Sequence, residues 1–290
     1  MSQSSIPLAK PNSVALQQLL EVSPENRKKL QQDLEARIAR LTARRSIDRY
    51  YPDTGPLRRE LYSKHIEFFN AGAIHQERAF IAANRSGKTH AACYELTCHL
   101  TGIYPNWWQG RRFDEPITAW ACGEDGKAVR ESIQEKLLGR LETLGHGLIP
   151  ADLIREPKAR AGIPDAIDFL NVKHITGGLS RLSFKSYDQR RESFQGSAVD
   201  VVLLDEEPDL GIYTEALTRT LSTVPGKPNG IMMCSFTPLR GLSETVLQFL
   251  PGGTLPTTVE QRMKAWGWLW LFSLLVPQLF TFLGVITGHG

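Results

Sequence analysis

Residues Phe80–Ala92 read FIAANRSGKTHAA, and the fold turns on how that stretch is read. Gly87-Lys88-Thr89 closes the phosphate-loop pattern G-x-x-x-x-G-K-[ST], with Ala82 standing where the opening glycine belongs. Such a loop turns successive backbone N–H groups toward the β- and γ-phosphates of a nucleotide. The lysine adds a mobile positive charge there, and the threonine hydroxyl ligates Mg2+. Close approach of phosphate to backbone depends on the glycine before the lysine. The first glycine mainly eases the exit from a strand, so an alanine with negative dihedrals serves in its place. The flanks agree, since AFIA (79–82) predicts a strand and HAACYELTCHL (90–100) a helix. Ala82, Ala83, Asn84, Arg85, Ser86, Gly87, Lys88 and Thr89 are therefore the expected contacts of ATP.

A phosphate loop needs a carboxylate partner, and VVLLDEEPD (201–209) supplies one. Four aliphatic residues predict a strand buried on both faces, ending in acids at the carboxyl edge where open α/β sheets bind ligands. Asp205 is expected to hold Mg2+ together with Thr89, and Glu206 to orient and deprotonate the attacking water. Arg85, inside the loop, and Arg190-Arg191, ahead of the Asp205 strand, are candidates for a cation at the transferred phosphoryl group.

The remaining texture is that of an α/β protein with a mostly parallel sheet. Short apolar runs at 79–82, 117–122, 201–204 and 230–236 alternate with helical stretches. Val129, Ile133, Leu137, Leu138 and Leu141 predict one face of a helix from about Lys127 to Glu142. IDFLNVKHI and LSRLSFKSY, on either side of Gly177-Gly178, predict an antiparallel hairpin joined to the sheet. Upstream, Ser23-Pro24 opens a helix that carries Leu30, Leu34, Ile38 and Leu41 on one face, laid against this chain or a partner.

Composition sets the bounds. The chain has 290 residues with 34 Lys+Arg against 31 Asp+Glu, so net charge announces no nucleic-acid binder. Residues 1–79 hold 13 basic and 9 acidic side chains, which places the mild basic excess in the first quarter. The four cysteines form no C-x-x-C pair, so neither a zinc site nor a disulfide framework is expected. The start, MSQSSIPLAK, has no apolar run behind a basic segment, so no secretory signal is read there.

Taken together, AANRSGKT with its internal arginine, SFKSYDQRRESFQG, VVLLDEEP, SFTPLRGLSE (235–244) and IYPNWWQGRRF (103–113) resemble the large terminase subunit of tailed bacteriophages. That family is the ATP-driven motor that packages DNA into the prohead, and the likeness spans roughly residues 60–250. The resemblance implies a RecA-like P-loop fold, hydrolysis of ATP with Mg2+, and translocation of double-stranded DNA. It implies as partners the small terminase subunit, the portal protein of the prohead and further copies of the chain in a ring. The implied location is the cytoplasm of the infected bacterial host. It assigns Lys88, Arg85 and Glu206 to catalysis, Thr89 and Asp205 to the metal, and Ser235 and Thr237 to coupling of hydrolysis with DNA movement. In LYSKHIEFF (61–69), His65 stands where the family commonly has an adenine-side glutamine.

The expected organisation is a helical extension (1–60), the P-loop ATPase domain (61–250) and an apolar tail (251–290). From Ala265 to Gly290 there is no Asp, Glu, Lys or Arg. That run is long enough for a membrane span, but a packaging motor has no need of an anchor, and the tail reads as the product of truncation or frame shift. Only Glu244 and Glu260 remain as acids after Glu215, so the carboxylate cluster of a two-metal nuclease is not expected. The competing readings are a truncated fragment that binds nucleotide without turnover, and another RecA-like DNA motor such as a helicase.

Overall fold

Four runs of aliphatic residues, buried on both faces, organise the molecule. The computed structural model describes residues 28, 32, 46–140, 144–189, 191–196, 198–238, 243–249 and 283–287. The chain divides into two units, Met1–Arg44 and Arg45–Gly290. Of the first only Lys28 and Gln32 are described, so the helix expected through Leu30, Leu34, Ile38 and Leu41 lies outside the described residues.

In the second unit the strands are β1 (Glu77–Ala82), β2 (Thr118–Gly123), β3 (Ile154–Ala159), β4 (Ile167–Lys173), β5 (Leu179–Ser186), β6 (Val201–Asp205), β7 (Ile231–Phe236) and β8 (Leu283–Thr287). They form one sheet in the order β3-β4-β5-β2-β6-β7-β1-β8. From β5 to β1 neighbouring strands run parallel; β3, β4 and β8 are antiparallel to their neighbours. The strand that leads into the phosphate loop, β1, is thus separated by β7 from the strand that ends in Asp205. That interposed strand is the RecA-like order.

The two faces of the sheet bury different helices. Val201 and Leu203 share one apolar cluster with Phe80, Ala119 and Ala121, whereas Val202 and Leu204 share the other with Ala79, Cys122 and Cys234. The first cluster is covered by α1 (Ser63–Ala71), α2 (Lys88–Thr101) and a third helical stretch, and the second by α4 (Leu210–Thr220) and α5 (Glu244–Gln248). Burying each large aliphatic chain in this way contributes about 1.5–3 kcal/mol. Ile47 and Tyr51 join the first cluster. The aromatic segment 103–113 does too: Trp108 stacks on Phe69 and Trp107 on Tyr94, so this segment is core packing beneath α2. All four cysteines are buried and free.

The third helical stretch, α3, begins at Gly126, where the Asp125 side chain accepts from the N–H groups of Lys127 and Ala128, and ends at Leu138. Val129, Ile133, Leu137 and Leu138 are buried as their spacing predicts. It stops short of the expected Glu142 because Gly139 takes φ 84° and ψ −177°, an extended positive-φ conformation that only glycine adopts without a Cβ clash. Leu141 lies outside the described residues. The periodicity also gave no sign that the middle of α3, Val129–Gln134, is π-helical.

The hairpin expected around Gly177-Gly178 is β4–β5, and β3 extends it by one strand that the sequence pattern did not reveal. Its alternation is strict: Leu182 and Phe184 are buried, while Leu179 and Arg181 are exposed. In register across the outer face lie Arg155, Asn171 and Arg181, and Phe169 sits beneath the Arg181 guanidinium at 3.9 Å. Residues 154–186 hold six basic and three acidic side chains, so the net −1 of residues 80–290 hides a local positive face. No helix among the described residues is long and apolar enough to cross a membrane. Of the tail, only the backbone of β8 is described, paired with β1.

Candidate nucleotide site

The phosphate loop is held at both ends. Arg78 of β1 and Glu95 of α2, both fully buried, form an ion pair across the strand and helix that flank it, and the Arg78 Nε also donates to the Phe68 carbonyl at 3.0 Å. Removing one partner of such a pair costs about 3–5 kcal/mol, because the other charge is left buried and alone. Ala82 ends β1 and is absent from the residues with positive φ, so it meets the condition under which alanine replaces the first glycine. Gly87 has φ 84°, and a Cβ there would lie 3.1 Å from the His65 ring. Lys88 begins α2 and is buried, as are 12 of the 14 residues of that helix. Arg85 is exposed at φ 64°, a left-handed conformation that costs a non-glycine residue of order 1 kcal/mol or more.

His65 braces this loop from α1. Its Nε2 lies 3.3 Å from the Ser86 carbonyl and its Nδ1 lies 2.8 Å from the Tyr51 hydroxyl. Burial lowers its pKa. The residue stands against the backbone of the loop, a role that spacing alone did not reveal.

Register places the carboxylates. Asp205 pairs with Ser235 across β6–β7, and Ser235 in turn pairs with Phe80 across β7–β1. The loop, Asp205 and the Ser235–Thr237 segment therefore converge at one edge of the sheet. Thr89 Oγ1 donates to Asp205 Oδ1 at 2.8 Å and Ser235 Oγ donates to the same oxygen at 2.5 Å. The Thr237 hydroxyl lies 2.7 Å from the Ala82 carbonyl and 2.9 Å from Asn84 Oδ1, directly beside the loop. Ser235 and Thr237 are thus divided between the two halves of the site, one on the carboxylate and one on the loop.

Glu206 follows at φ 60°, and its backbone is held there from two sides. Its N–H donates to the Ser235 carbonyl at 2.9 Å, and the Tyr187 hydroxyl lies 3.0 and 3.1 Å from the carbonyls of Asp205 and Glu206. The Thr237 backbone N–H draws the Glu206 pKa down. Burial raises the pKa of Asp205, offset in part by the Ser235 and Thr89 hydroxyls and by Lys136 and Lys88. Burial likewise raises that of Glu206, against the pull of Lys88. Tyr187, Ser132 and Lys136 belong to the site but to no motif. Tyr187 ends the run LSRLSFKSY, which predicts a hairpin strand, and the other two lie off the apolar face predicted for their helix. Arg190 and the Arg191 side chain lie outside the described residues.

Residues 79–265 match the family model described as terminase large subunit, T4likevirus-type, N-terminal. The chain belongs to the terminase large subunit family. Over 209 residues, 65% of its length, it is 38% identical to the large terminase subunit of Salmonella phage P22, and it spans 41% of that relative. Among solved structures it is similar to the large terminase ATPase domain of Thermus phage P74-26 (18% identity, TM-score 0.44, 72% of this chain and 88% of that one). It is also similar to the large terminase of a thermophilic bacteriophage in complex with ADP (14% identity, TM-score 0.39, 60% of this chain and 37% of that one).

Proposed function

We propose that this terminase chain hydrolyses ATP with Mg2+ and uses the energy to move double-stranded DNA into a prohead. The observation that carries the reading is the contact of Thr89 with Asp205, which joins the phosphate loop to a buried carboxylate beside a second acid. The residues fit the cofactors. Thr89 and Asp205 offer the hard oxygen donors that Mg2+ takes from protein when phosphates supply others. The Ser86 hydroxyl is buried without a partner in a loop that a triphosphate would fill. Mg2+, when bound, supplies charge to the phosphate oxygens.

In this reading the backbone N–H groups from Ala83 to Thr89 cradle the phosphates, with Ala82 and Asn84 shaping the entry to the loop. Lys88 neutralises the β- and γ-phosphates, and Arg85 extends from the loop rim toward the charge that develops on the γ-phosphoryl group. Glu206 takes the proton from water. Burial raises its pKa and makes it a better base, while Lys88 and the Thr237 backbone pull the other way. Thr237 touches both Glu206 and the loop, so a change at the γ-phosphate shifts the segment beyond Pro238. Ser235 holds Asp205 and couples through it.

The cationic outer face of β3–β5 supports contact with the phosphate backbone of duplex DNA. The partners of the reading are the small terminase subunit, the portal protein and further copies of this chain, in the cytoplasm of an infected bacterium. Residues 61–250 form the motor. DNA cleavage is not assigned to it.

The test is ATP turnover by the purified chain with and without double-stranded DNA. Turnover that rises with duplex DNA supports the motor. Binding without turnover indicates an inert nucleotide-binding fragment. Stimulation by single strands alone indicates a helicase.

A further inference from the structure

Beside Asp205 and Glu206 lies a cleft of about 340 Å3, formed by the end of β2 and by α3, and lined by Gly123, Val129, Ser132 and Lys136. None of the phosphate-loop residues lines it, so the cleft reaches the two acids separately from the loop. Two groups of α3 reach the acids there. Ser132 Oγ donates to Asp205 Oδ2 at 3.3 Å, the oxygen that Thr89 and Ser235 leave free. The Lys136 ammonium donates to the Ser132 carbonyl at 3.1 Å and lies 3.3 Å from its hydroxyl.

This relay depends on the π-helical turn. The Glu135 N–H reaches back to the Arg130 carbonyl, which adds a residue to the turn and shifts the side chains that follow. The turn is also pinned on its far side. Gln134 donates to the Asp165 carbonyl at 2.8 Å and accepts from the Ile167 N–H at 2.8 Å, while Val129 and Ile133 are buried beneath it. A π-helical turn fastened to the β4 strand at one residue and to Asp205 at another is an anchored support rather than a loose irregularity.

We propose that Ser132 and Lys136 are positioning residues for the metal-binding carboxylate. Ser132 fixes the direction of Asp205 Oδ2, and Lys136 locks Ser132 while holding a compensating positive charge near the buried acid. The inference rests on the nucleotide reading above and extends it to a part of the chain that no motif marks. Groups that orient a metal ligand commonly change metal affinity by about 10- to 100-fold when removed. The lower end is expected here, because Thr89 and Ser235 still hold the other oxygen.

Mg2+ is titrated against binding of a fluorescent, slowly hydrolysed ATP analogue to the whole chain. The variants are Ser132→Ala, Ser132→Thr, Lys136→Met and Lys136→Arg. Ser132→Ala and Lys136→Met should each raise the Mg2+ needed for half-maximal binding about 10-fold, with metal-free binding unchanged and with Thr and Arg restoring the wild-type requirement. In the nucleotide-free protein, the infrared carboxylate band that disappears in Asp205→Asn should shift in Ser132→Ala and return in Ser132→Thr. An unchanged metal requirement in both variants, with wild-type binding intact, overturns the positioning role alone. So does an equal fall in metal-free and metal-dependent binding, which is the mark of general loss of structure. No nucleotide binding by the wild type overturns the reading on which the proposal rests, and the proposal with it.

Discussion

The two halves of the site are built in opposite ways. The loop half is contiguous: eight residues from Ala82 to Thr89 supply it, mostly with backbone groups, between one strand and one helix. The carboxylate half is gathered from four places, with Ser132 on α3, Tyr187 after β5, Asp205 and Glu206 at the end of β6, and Ser235 on β7. Backbone recognition needs only a local conformation, which a short motif can specify. A buried carboxylate needs donors from several directions, since an unpaired charge in the interior is costly, and no single segment supplies them all.

That contrast can be broken at the loop first. Lys88→Ala removes the only lysine of the loop and should lower ATP turnover by about 10³-fold or more, with weaker ATP binding. Steady-state hydrolysis and nucleotide titration of the same preparation check it, and wild-type turnover would dismiss the loop as a phosphate site.

On the carboxylate side, Glu206→Gln keeps the side chain's size but removes the base. Turnover should fall about 10²-fold or more while ATP still binds. Single-turnover hydrolysis beside equilibrium binding separates the two quantities. Binding lost in parallel with turnover would make Glu206 a ligand instead of a base.

Thr237→Ala tests the seam between the halves. It removes the hydroxyl that touches Ala82 and Asn84 and leaves the backbone N–H to Glu206 in place. ATP binding should persist and DNA-stimulated turnover should drop about 10-fold, the effect of losing one or two neutral hydrogen bonds. Full stimulation would leave Thr237 as no more than the end of a strand.

The smallest effect concerns stability. Burial raises the folded-state pKa of Asp205 above its ordinary 3.8, so the folded protein binds this proton more tightly than the unfolded chain does. The stabilisation is fully present below the ordinary pKa and is lost as pH rises through the folded value, so at neutral pH the ionised carboxylate works against folding. Asp205→Asn keeps an oxygen for Thr89 and Ser235, and should raise the thermal midpoint of the nucleotide-free protein at pH 7 by about 2–4 °C, the shift that ~1 kcal/mol gives in a domain of this size. At a pH below 3.8 the difference should vanish. Calorimetry at the two pH values decides, and a variant less stable than wild type at pH 7 would mean that the ionised carboxylate is held favourably.

The sequence by itself determined the loop, its flanking strand and helix, the aliphatic strand that ends in Asp205, and the β4–β5 hairpin. Each is written in adjacent residues, as a motif, a run of apolar side chains or a strict alternation, because backbone conformation and one-sided burial act over short spans. The resemblance to terminases was carried by the same segments. Only the tertiary structure decided the rest. It interposed β7 between the loop strand and the acid strand, set Ser235 in register with Asp205, and turned α3 π-helical so that Ser132 reaches the second carboxylate oxygen. It brought His65 against the loop and Tyr187 beneath Glu206. It also made the aromatic segment around Trp107 and Trp108 a core element and ended α3 at Gly139. The hydrogen bonds among these contacts join residues from 19 to 73 positions apart. What selects them is the burial of apolar faces and the need of each buried charge for partners, and both are satisfied only when the whole sheet and its helices are assembled.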